Sequence, residues 1–138
     1  MRFPDFSLKD DTGQVLPSSL LTNMHFIAVF APDLSDDTMD LADQFDVYYQ
    51  KLIIRNIITM IITPCPQERI RERVMERGTR VKMLSDPDNK LLNECGASGR
   101  TTFFVGKDME ILAQWNDVTV EKHADAVYER LKGFFKSA

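Results

Sequence analysis

The stretch that decides the fold is HFIAVFAPDLSDDTMDL, residues 25–41, in which an apolar run leads into the start of a helix. A second run, NIITMIIT at residues 56–63, follows it, and short runs rich in β-branched and aromatic residues are typical of parallel strands buried on both faces. Between the runs, apolar residues recur at spacings of four and three, which predicts a helix of about 15 residues with one apolar stripe. The stripe consists of Leu41, Phe45, Tyr48 and Leu52. The run, the helix and the second run together predict a right-handed βαβ unit.

On both sides of this unit the chain predicts further strands. FSLKDDTGQVL, residues 6–16, contains the turn signal Asp-Thr-Gly and predicts an N-terminal β-hairpin. Residues 81–84 predict a short strand, and residues 101–115 predict a second hairpin whose turn is GKDM. Further helices are predicted from Pro66 to Gly78, at residues 90–96, and at the end of the chain through Ala124, Val127, Leu131 and Phe134. Residues 1–138 are therefore predicted to form a single α/β domain with a thioredoxin-like fold, in which helices flank a mixed central sheet that carries an N-terminal β-hairpin.

The composition excludes several classes of protein. Hydrophobic residues make up 43% of the chain, enough for one core without a disulfide framework. The charges are mixed, with 17 Lys and Arg against 21 Asp and Glu, so neither nucleic acid nor a membrane is expected as a partner. Two cysteines and two histidines, in no ligand-like spacing, predict no metal and no cofactor. Because the first residues show no signal-peptide pattern, we expect the protein in the cytoplasm.

Four stretches resemble, in order and spacing, those of the peroxiredoxins. Within this alkyl hydroperoxide reductase and thiol-specific antioxidant family, the resemblance is greatest to the bacterioferritin comigratory protein type. The stretches are FPDFSLKDDTG (3–13), LSDPDNKLLNECG (84–96), RTTFFVGKDMEI (100–111) and HADAVYERL (123–131). The resemblance covers nearly the whole chain, and it implies a thioredoxin-like fold, peroxide reduction by a cysteine thiolate and a possible homodimer.

The resemblance also indicates where the reactive cysteine of the family should lie. In peroxiredoxins it ends the pattern Pro-x-x-x-Thr-x-x-Cys, at the start of the helix that follows the first core strand. The corresponding segment here is PDLSDDTMDL, residues 32–41, which contains no cysteine. An alignment on Pro32 puts Asp36 at the family threonine and Met39 at the family cysteine.

A second alignment runs backwards from Phe45, which resembles a phenylalanine of the family helix, and needs one deletion. It puts Ser35 at the threonine and Thr38 at the cysteine, and we favour it because residue 38 then lies on the apolar stripe. Ser35 is also a good N-cap residue. Asp43 stands where some relatives have a resolving cysteine. Peroxide reduction needs a thiolate that can become a sulfenic acid, and neither a threonine hydroxyl nor a methionine thioether can do so reversibly with thiols.

Arg100 directly precedes TTFFVG and resembles the family arginine that lies beside the thiolate and helps to bind the peroxide. One hypothesis is that a site for an anion or polar ligand remains, formed by Arg100, Thr102 and the helix N-terminal amides near Thr38. The alternative is that Arg100 pairs with Asp36 or Asp37 and only stabilises the loop.

Cys65, in the segment TPCPQE, is the candidate for a relocated redox cysteine. We expect it at the end of the second core strand and at the N-cap of the next helix, where the helix dipole lowers a thiol pKa. This strand end lies at the same sheet edge as residues 35–38, and ligand sites in α/β sheets favour that edge. Cys95 is expected near the end of its helix as a small buried residue with a raised pKa. The sequence does not decide whether Cys65 and Cys95 can form a disulfide.

The remaining residues with chemical potential have simpler interpretations. His25 begins a strand and is expected to be structural, whereas His123 is expected to be solvated on the last helix. Trp115 is expected to anchor the core or an interface. The charged helix at residues 67–77 is interpreted as a solvated face with ion pairs within the helix, and the alternative is a partner surface.

Two main functions follow from these observations, beside a third in which the domain keeps only its fold and acts through its charged helix surface. The first is a degenerate peroxiredoxin-like pseudoenzyme that binds an unknown protein or small molecule. The second is a thiol-dependent oxidoreductase or antioxidant protein, a thiol peroxidase or thiol-disulfide oxidoreductase, that uses Cys65 as nucleophile and Arg100 as electrostatic helper.

Overall fold

Seven strands form one mixed sheet in the computed structural model of the protein, which describes residues 1–135. The strands are β1 (Ser7–Asp10), β2 (Val15–Pro17), β3 (His25–Phe30), β4 (Ile57–Thr63), β5 (Lys82–Ser85), β6 (Thr101–Val105) and β7 (Ile111–Trp115). The helices are α1 (Asp36–Val47), α2 (Tyr49–Ile53), α3 (Gln67–Arg77), α4 (Lys90–Glu94) and α5 (His123–Phe135). Short 3₁₀ turns occur at Ser18–Leu21, Pro87–Asn89 and Lys107–Met109.

The order of strands across the sheet is β2-β1-β5-β4-β3-β6-β7. β3, β4 and β5 are parallel, β6 runs antiparallel to β3, and β7 runs antiparallel to β6. The N-terminal hairpin of β1 and β2 joins the sheet through antiparallel pairing of β1 with β5. The predicted α/β thioredoxin-like fold, with its mixed sheet and N-terminal hairpin, is therefore confirmed. The C-terminal ends of the parallel strands and the first residues of β6 meet at one edge of the sheet.

The sheet separates two hydrophobic cores, because successive residues of a strand point to opposite faces. On β3, Ile27 and Val29 belong to the first core, which the helices α1, α3 and α5 cover. Phe26 and Ala28 belong to the second core, where residues from α4 and from the N-terminal segment pack. Phe3 of that segment is fully buried in the second core.

The helix predicted between the two apolar runs is broken at Tyr48. Its backbone has φ −93° and ψ 2°, outside the helical region, and its N–H donates to the carbonyl of Phe45 at 3.0 Å in a tight final turn. Leu41 and Phe45 on α1 and Leu52 on α2 are nevertheless all buried, as the stripe predicts. The apolar stripe is therefore buried on both α1 and α2, although hydrophobic periodicity does not reveal the break between the two helices.

The charged helix α3 has the predicted ion pairs within the helix, Arg69 with Glu72 and Arg73 with Glu76, but it also pairs with α1, which the sequence did not predict. Arg73 donates both to Glu76 on its own helix and to Asp36 at the start of α1, at 2.7 and 2.9 Å. Arg77 donates to Asp40 and Asp43 of α1 at 3.2 and 2.6 Å. These arginines and aspartates therefore form an ion-pair network between α1 and α3.

Among residues 1–135, no helix is both long enough and apolar enough to cross a membrane.

Candidate functional site

The start of α1 and the start of β6 come together at the sheet edge because of the strand register. Phe30, the last residue of β3, pairs with Thr101, the first residue of β6. The loop after β3 therefore lies beside Arg100, which directly precedes β6. Thr38, in the first turns of α1, is 62 positions from Arg100 in sequence but within hydrogen-bond distance of it.

Three side chains form a polar network at this point. Arg100 Nη2 donates to Thr38 Oγ1 at 3.0 Å, and the Thr38 hydroxyl donates to Asp33 Oδ1 at 3.1 Å. Arg100 Nη2 also lies 3.8 Å from Asp33 Oδ1, at ion-pair distance. Thr38 is completely buried and the Arg100 side chain is 17% exposed, whereas the Asp33 side chain is 54% exposed. We call Asp33, Thr38 and Arg100 the Arg100 network.

Asp33 is ionised at neutral pH in this network. The Ser35 hydroxyl is the main cause that lowers the pKa of Asp33, and the Ser35 backbone N–H, which donates to Oδ1 at 3.1 Å, adds a smaller effect. The hydrogen bond from Thr38 and the charge of Arg100 act in the same direction. Ser35 is the N-cap residue of α1, as predicted, but its side chain makes no capping hydrogen bond.

Asp33 corrects the predicted partner of Arg100. We expected Asp36 or Asp37, but Asp36 pairs with Arg73 of α3 and Asp37 is exposed. Asp33 carries no motif that marks it in the sequence. The signal that could have identified it is its place in the loop after β3, which the predicted antiparallel β6 brings next to Arg100.

One donor group of Arg100 remains unused. Its Nη1 is buried and has no hydrogen-bond partner among the described residues. A buried donor without a partner costs free energy, and such a group is a natural contact for an acceptor on a ligand. The Arg100 network can therefore bind a polar group, but it provides no nucleophile for redox chemistry.

Thr102 does not take part in this network. Its Oγ1 lies 2.8 Å from Nε2 of His123, and both residues are buried. His123 also contacts the rings of Phe45 and Trp115, so the prediction of a solvated histidine is wrong. Burial lowers the pKa of His123 to about 4, so that its imidazole is neutral at pH 7. Thr102 and His123 instead connect β6 to the first residue of α5.

Met39, the alternative at the cysteine position, lies in the first core and is fully buried. The hydrogen bonds of the Arg100 network join Arg100, Thr38 and Asp33, and Met39 takes part in neither of them.

Cys65 lies after the end of β4, at the sheet edge predicted for it. The N-cap of α3 is Pro66, so Cys65 precedes the N-cap position that we expected it to occupy. The hydroxyl of Thr63 donates to Cys65 Sγ at 3.4 Å, and the hydroxyl of Ser85 donates to the carbonyl of Cys65 at 2.7 Å. The thiol is partly buried against the first core. The polar contacts of Cys65 are thus with β4 and β5, and those of Arg100 are with α1 and its preceding loop.

Cys95 packs against the second core, on the opposite face of the sheet from Cys65. Burial, with smaller effects of the negative charges of Asp86 and Glu94, raises the pKa of the Cys95 thiol to about 12. Both cysteines are free, and no disulfide joins them in this structure. Among residues 1–135, no group of three or more His, Cys, Asp or Glu side chains is placed to hold a metal ion.

Comparison with known proteins gives no match to any protein-family model or to any curated protein. Solved structures do match. A cysteine-to-serine variant of PrxQ from Xylella fastidiosa superposes with a TM-score of 0.88 at 19% identity, covering 94% of this chain and 89% of its own. The bacterioferritin comigratory protein of Xanthomonas campestris gives 0.88 at 17% identity, covering 94% and 91%. Peroxidoxin BcpB of Mycobacterium tuberculosis gives 0.87 at 20% identity, covering 96% and 95%.

The chain has the peroxiredoxin fold. The resemblance drawn from the four sequence stretches is therefore confirmed at the level of the fold, which the chain shares with the PrxQ and bacterioferritin comigratory protein structures. Within the peroxiredoxin fold, the Arg100 network lies where β3 leads into α1. The assignment of Thr38 to the position of the family cysteine stays a prediction, because structural likeness at this level of identity does not assign individual residues.

Proposed function

We propose that this protein is a peroxiredoxin-like pseudoenzyme that binds a ligand or partner through the Arg100 network and does not reduce peroxides with a residue of α1. The observation that carries the proposal is the hydrogen bond from Arg100 to a buried threonine, Thr38, at the start of that helix. A threonine hydroxyl cannot cycle through a sulfenic acid, whereas the arginine beside it can still bind an acceptor group.

The charge at the site supports the same conclusion. Asp33 accepts a hydrogen bond from Thr38 and is ionised at neutral pH. A carboxylate in contact with a thiol raises the thiol pKa and so lowers the fraction of reactive thiolate. Arg100 and Asp33 together favour a ligand that offers an acceptor to the free Nη1 and tolerates a carboxylate nearby.

A pair of variants tests whether this site opposes thiolate formation. In Thr38→Cys we expect the introduced thiol to have a higher pKa than in the double variant Thr38→Cys with Asp33→Asn, because the second substitution removes the neighbouring negative charge. Thiolate absorbance is followed against pH, in a background where Cys65 and Cys95 are replaced by serine. Equal pKa values in the two variants would contradict the role given to Asp33.

The second candidate function is a thiol oxidoreductase that uses Cys65. The observation in its favour is the hydrogen bond from the Thr63 hydroxyl to Cys65 Sγ, which positions the thiol at the end of β4. Against it, Cys65 makes its polar contacts with β4 and β5 and Arg100 makes its contacts elsewhere.

Titration of the reduced protein with hydrogen peroxide distinguishes the two functions. We expect Cys65 to be oxidised no faster than free cysteine, as followed by mass spectrometry of the sulfenic acid after trapping. Cys95→Ser is the matched control because it leaves the other thiol intact. Rapid, stoichiometric oxidation of Cys65 that Cys65→Ser abolishes would overturn the binding function in favour of the oxidoreductase.

The cellular location, the oligomeric state and the class of partner are also proposals. We place the protein in the cytoplasm, which agrees with its two unbridged thiols, because free cysteines persist in reducing compartments. A homodimer follows from the resemblance to the peroxiredoxins, and light scattering after size-exclusion chromatography measures it. Neither nucleic acid nor a membrane is proposed as a partner.

A further inference from the structure

A cavity lies at the opposite end of the sheet from the Arg100 network. It has a volume of about 310 Å³ and is lined by His25, Arg55, Ile57, Phe104, Phe134 and Phe135. His25 and Ile57 begin β3 and β4, whereas the Arg100 network lies beyond the end of β3. The volume is at the lower end of the range for sites that bind small molecules.

The walls of this cavity are mostly aromatic. Phe104 and Phe134 meet edge to face with their ring centres 5.1 Å apart, and the His25 imidazole stacks on Phe104 at 5.5 Å. Ile57, the first residue of β4, is buried. An apolar recess with ring edges and faces around it suits a planar aromatic group, which can pack edge to face or offset against such walls.

Arg55 supplies a fixed positive charge to the lining. Its guanidinium carbon lies 4.4 Å from the centre of the Phe135 ring, and Nη1 donates to the carbonyl of Lys51 at 3.0 Å. The side chain has five N–H donors, so a carboxylate can still be bound through two of them. Arg55 is exposed, and a ligand can therefore reach it from solvent.

The charge around the cavity is opposite in sign to that of the chain as a whole. The protein has a net charge of −4, yet the lining residues within positions 1–135 include no Asp or Glu. Burial and nearby Lys107 lower the pKa of His25, so the imidazole is neutral at pH 7 and adds a hydrogen-bonding group without charge. Arg55 is the charged residue among the described lining residues, and its cation in an aromatic recess favours a ligand with a negative charge.

We propose that this cavity binds a small aromatic monocarboxylate, with its ring packed against the wall formed by Phe104, Phe134 and Ile57 and its carboxylate on Arg55. This binding site is independent of the function proposed for the Arg100 network. The ligand must carry both a ring and a carboxylate. Loss of the carboxylate removes the contact with Arg55, whereas loss of the ring removes the contacts with the aromatic walls.

The test uses phenylacetate as the probe and phenylacetamide as its neutral counterpart. We expect phenylacetate to bind the full-length protein saturably, with NMR shift changes concentrated at Ile57 and Phe104. Phenylacetamide should bind about ten-fold more weakly, because it lacks the charge that Arg55 recognises. Arg55→Met, which keeps an apolar stem of similar length, should weaken phenylacetate binding by about the same factor and leave phenylacetamide binding unchanged.

The matched control is Arg130→Met. Arg130 also lies over an aromatic ring, that of Trp115 at 5.3 Å, but it does not line the cavity. Phenylacetate affinity should be unchanged in this variant, and the thermal unfolding of both variants confirms that they fold. The proposal is overturned by absence of saturable binding, by shift changes away from the cavity, by equal affinity for acid and amide, or by equal losses in the two arginine variants.

Discussion

Phe3→Ala is expected to lower the free energy of unfolding by about 3–5 kcal/mol, although the residue is only third in the chain. Its ring is fully buried and meets Phe26 and Phe103 edge to face, each with ring centres 5.5 Å apart. Its N–H donates to the carbonyl of Met109 at 2.7 Å, so the backbone is fixed in place. Truncation removes a large apolar contact and leaves a cavity that rigid strand residues cannot fill.

Urea unfolding followed by circular dichroism measures this loss. Leu20→Ala is the matched control because Leu20 is 67% exposed, and a surface truncation of this kind changes stability by no more than about 0.5 kcal/mol. If Phe3→Ala has an effect as small as that of the control, the N-terminal segment does not contribute to the second core in solution.

The second expected result concerns pH. Since burial lowers the pKa of His123 to about 4 from an ordinary value of 6.5, folding favours the neutral imidazole. The stabilisation is fully present above pH 6.5 and is lost as the pH falls towards 4, because the unfolded chain then binds a proton that the folded chain excludes. A shift of this size corresponds to a loss of about 3 kcal/mol across that interval.

The His123→Gln variant isolates this effect, because a glutamine can still hydrogen-bond Thr102 but does not titrate. Carboxylates also titrate towards pH 4, so the measured quantity is the difference in unfolding free energy between wild type and variant at each pH. This difference should shrink or change sign in favour of the variant as the pH falls from 6.5 to 4. Parallel stability profiles in that range would show that His123 is not buried in its neutral form.

The order of strands and helices could be predicted because each depends on a local pattern. The apolar runs that became β3 and β4, and the turn that joins β1 to β2, are visible within a few residues of sequence. The burial of Phe3 was not predicted, because a single aromatic residue before the first strand belongs to no periodic pattern. Its burial depends on contacts with Phe26 and Phe103, which come from distant strands.

The candidate site was predictable only in part, for a related reason. Resemblance to a family identified Arg100 and Thr38, and the structure brings these two residues into contact. Asp33 was missed, because its role depends on the register between β3 and β6 and not on its sequence neighbours. His123 was assigned to solvent because helical spacing defines a face, but a residue at the first position of a helix can be covered by neighbouring elements.

The placement of Cys65 and Cys95 on opposite faces of the sheet limits how the protein can respond to oxidants. The two thiols are free and pack against different cores, so neither core holds one thiol against the other. We expect oxidation of the folded protein to give mixed disulfides with small thiols or cross-links between molecules. A Cys65–Cys95 bridge found by mass spectrometry of the folded, oxidised protein would contradict this expectation.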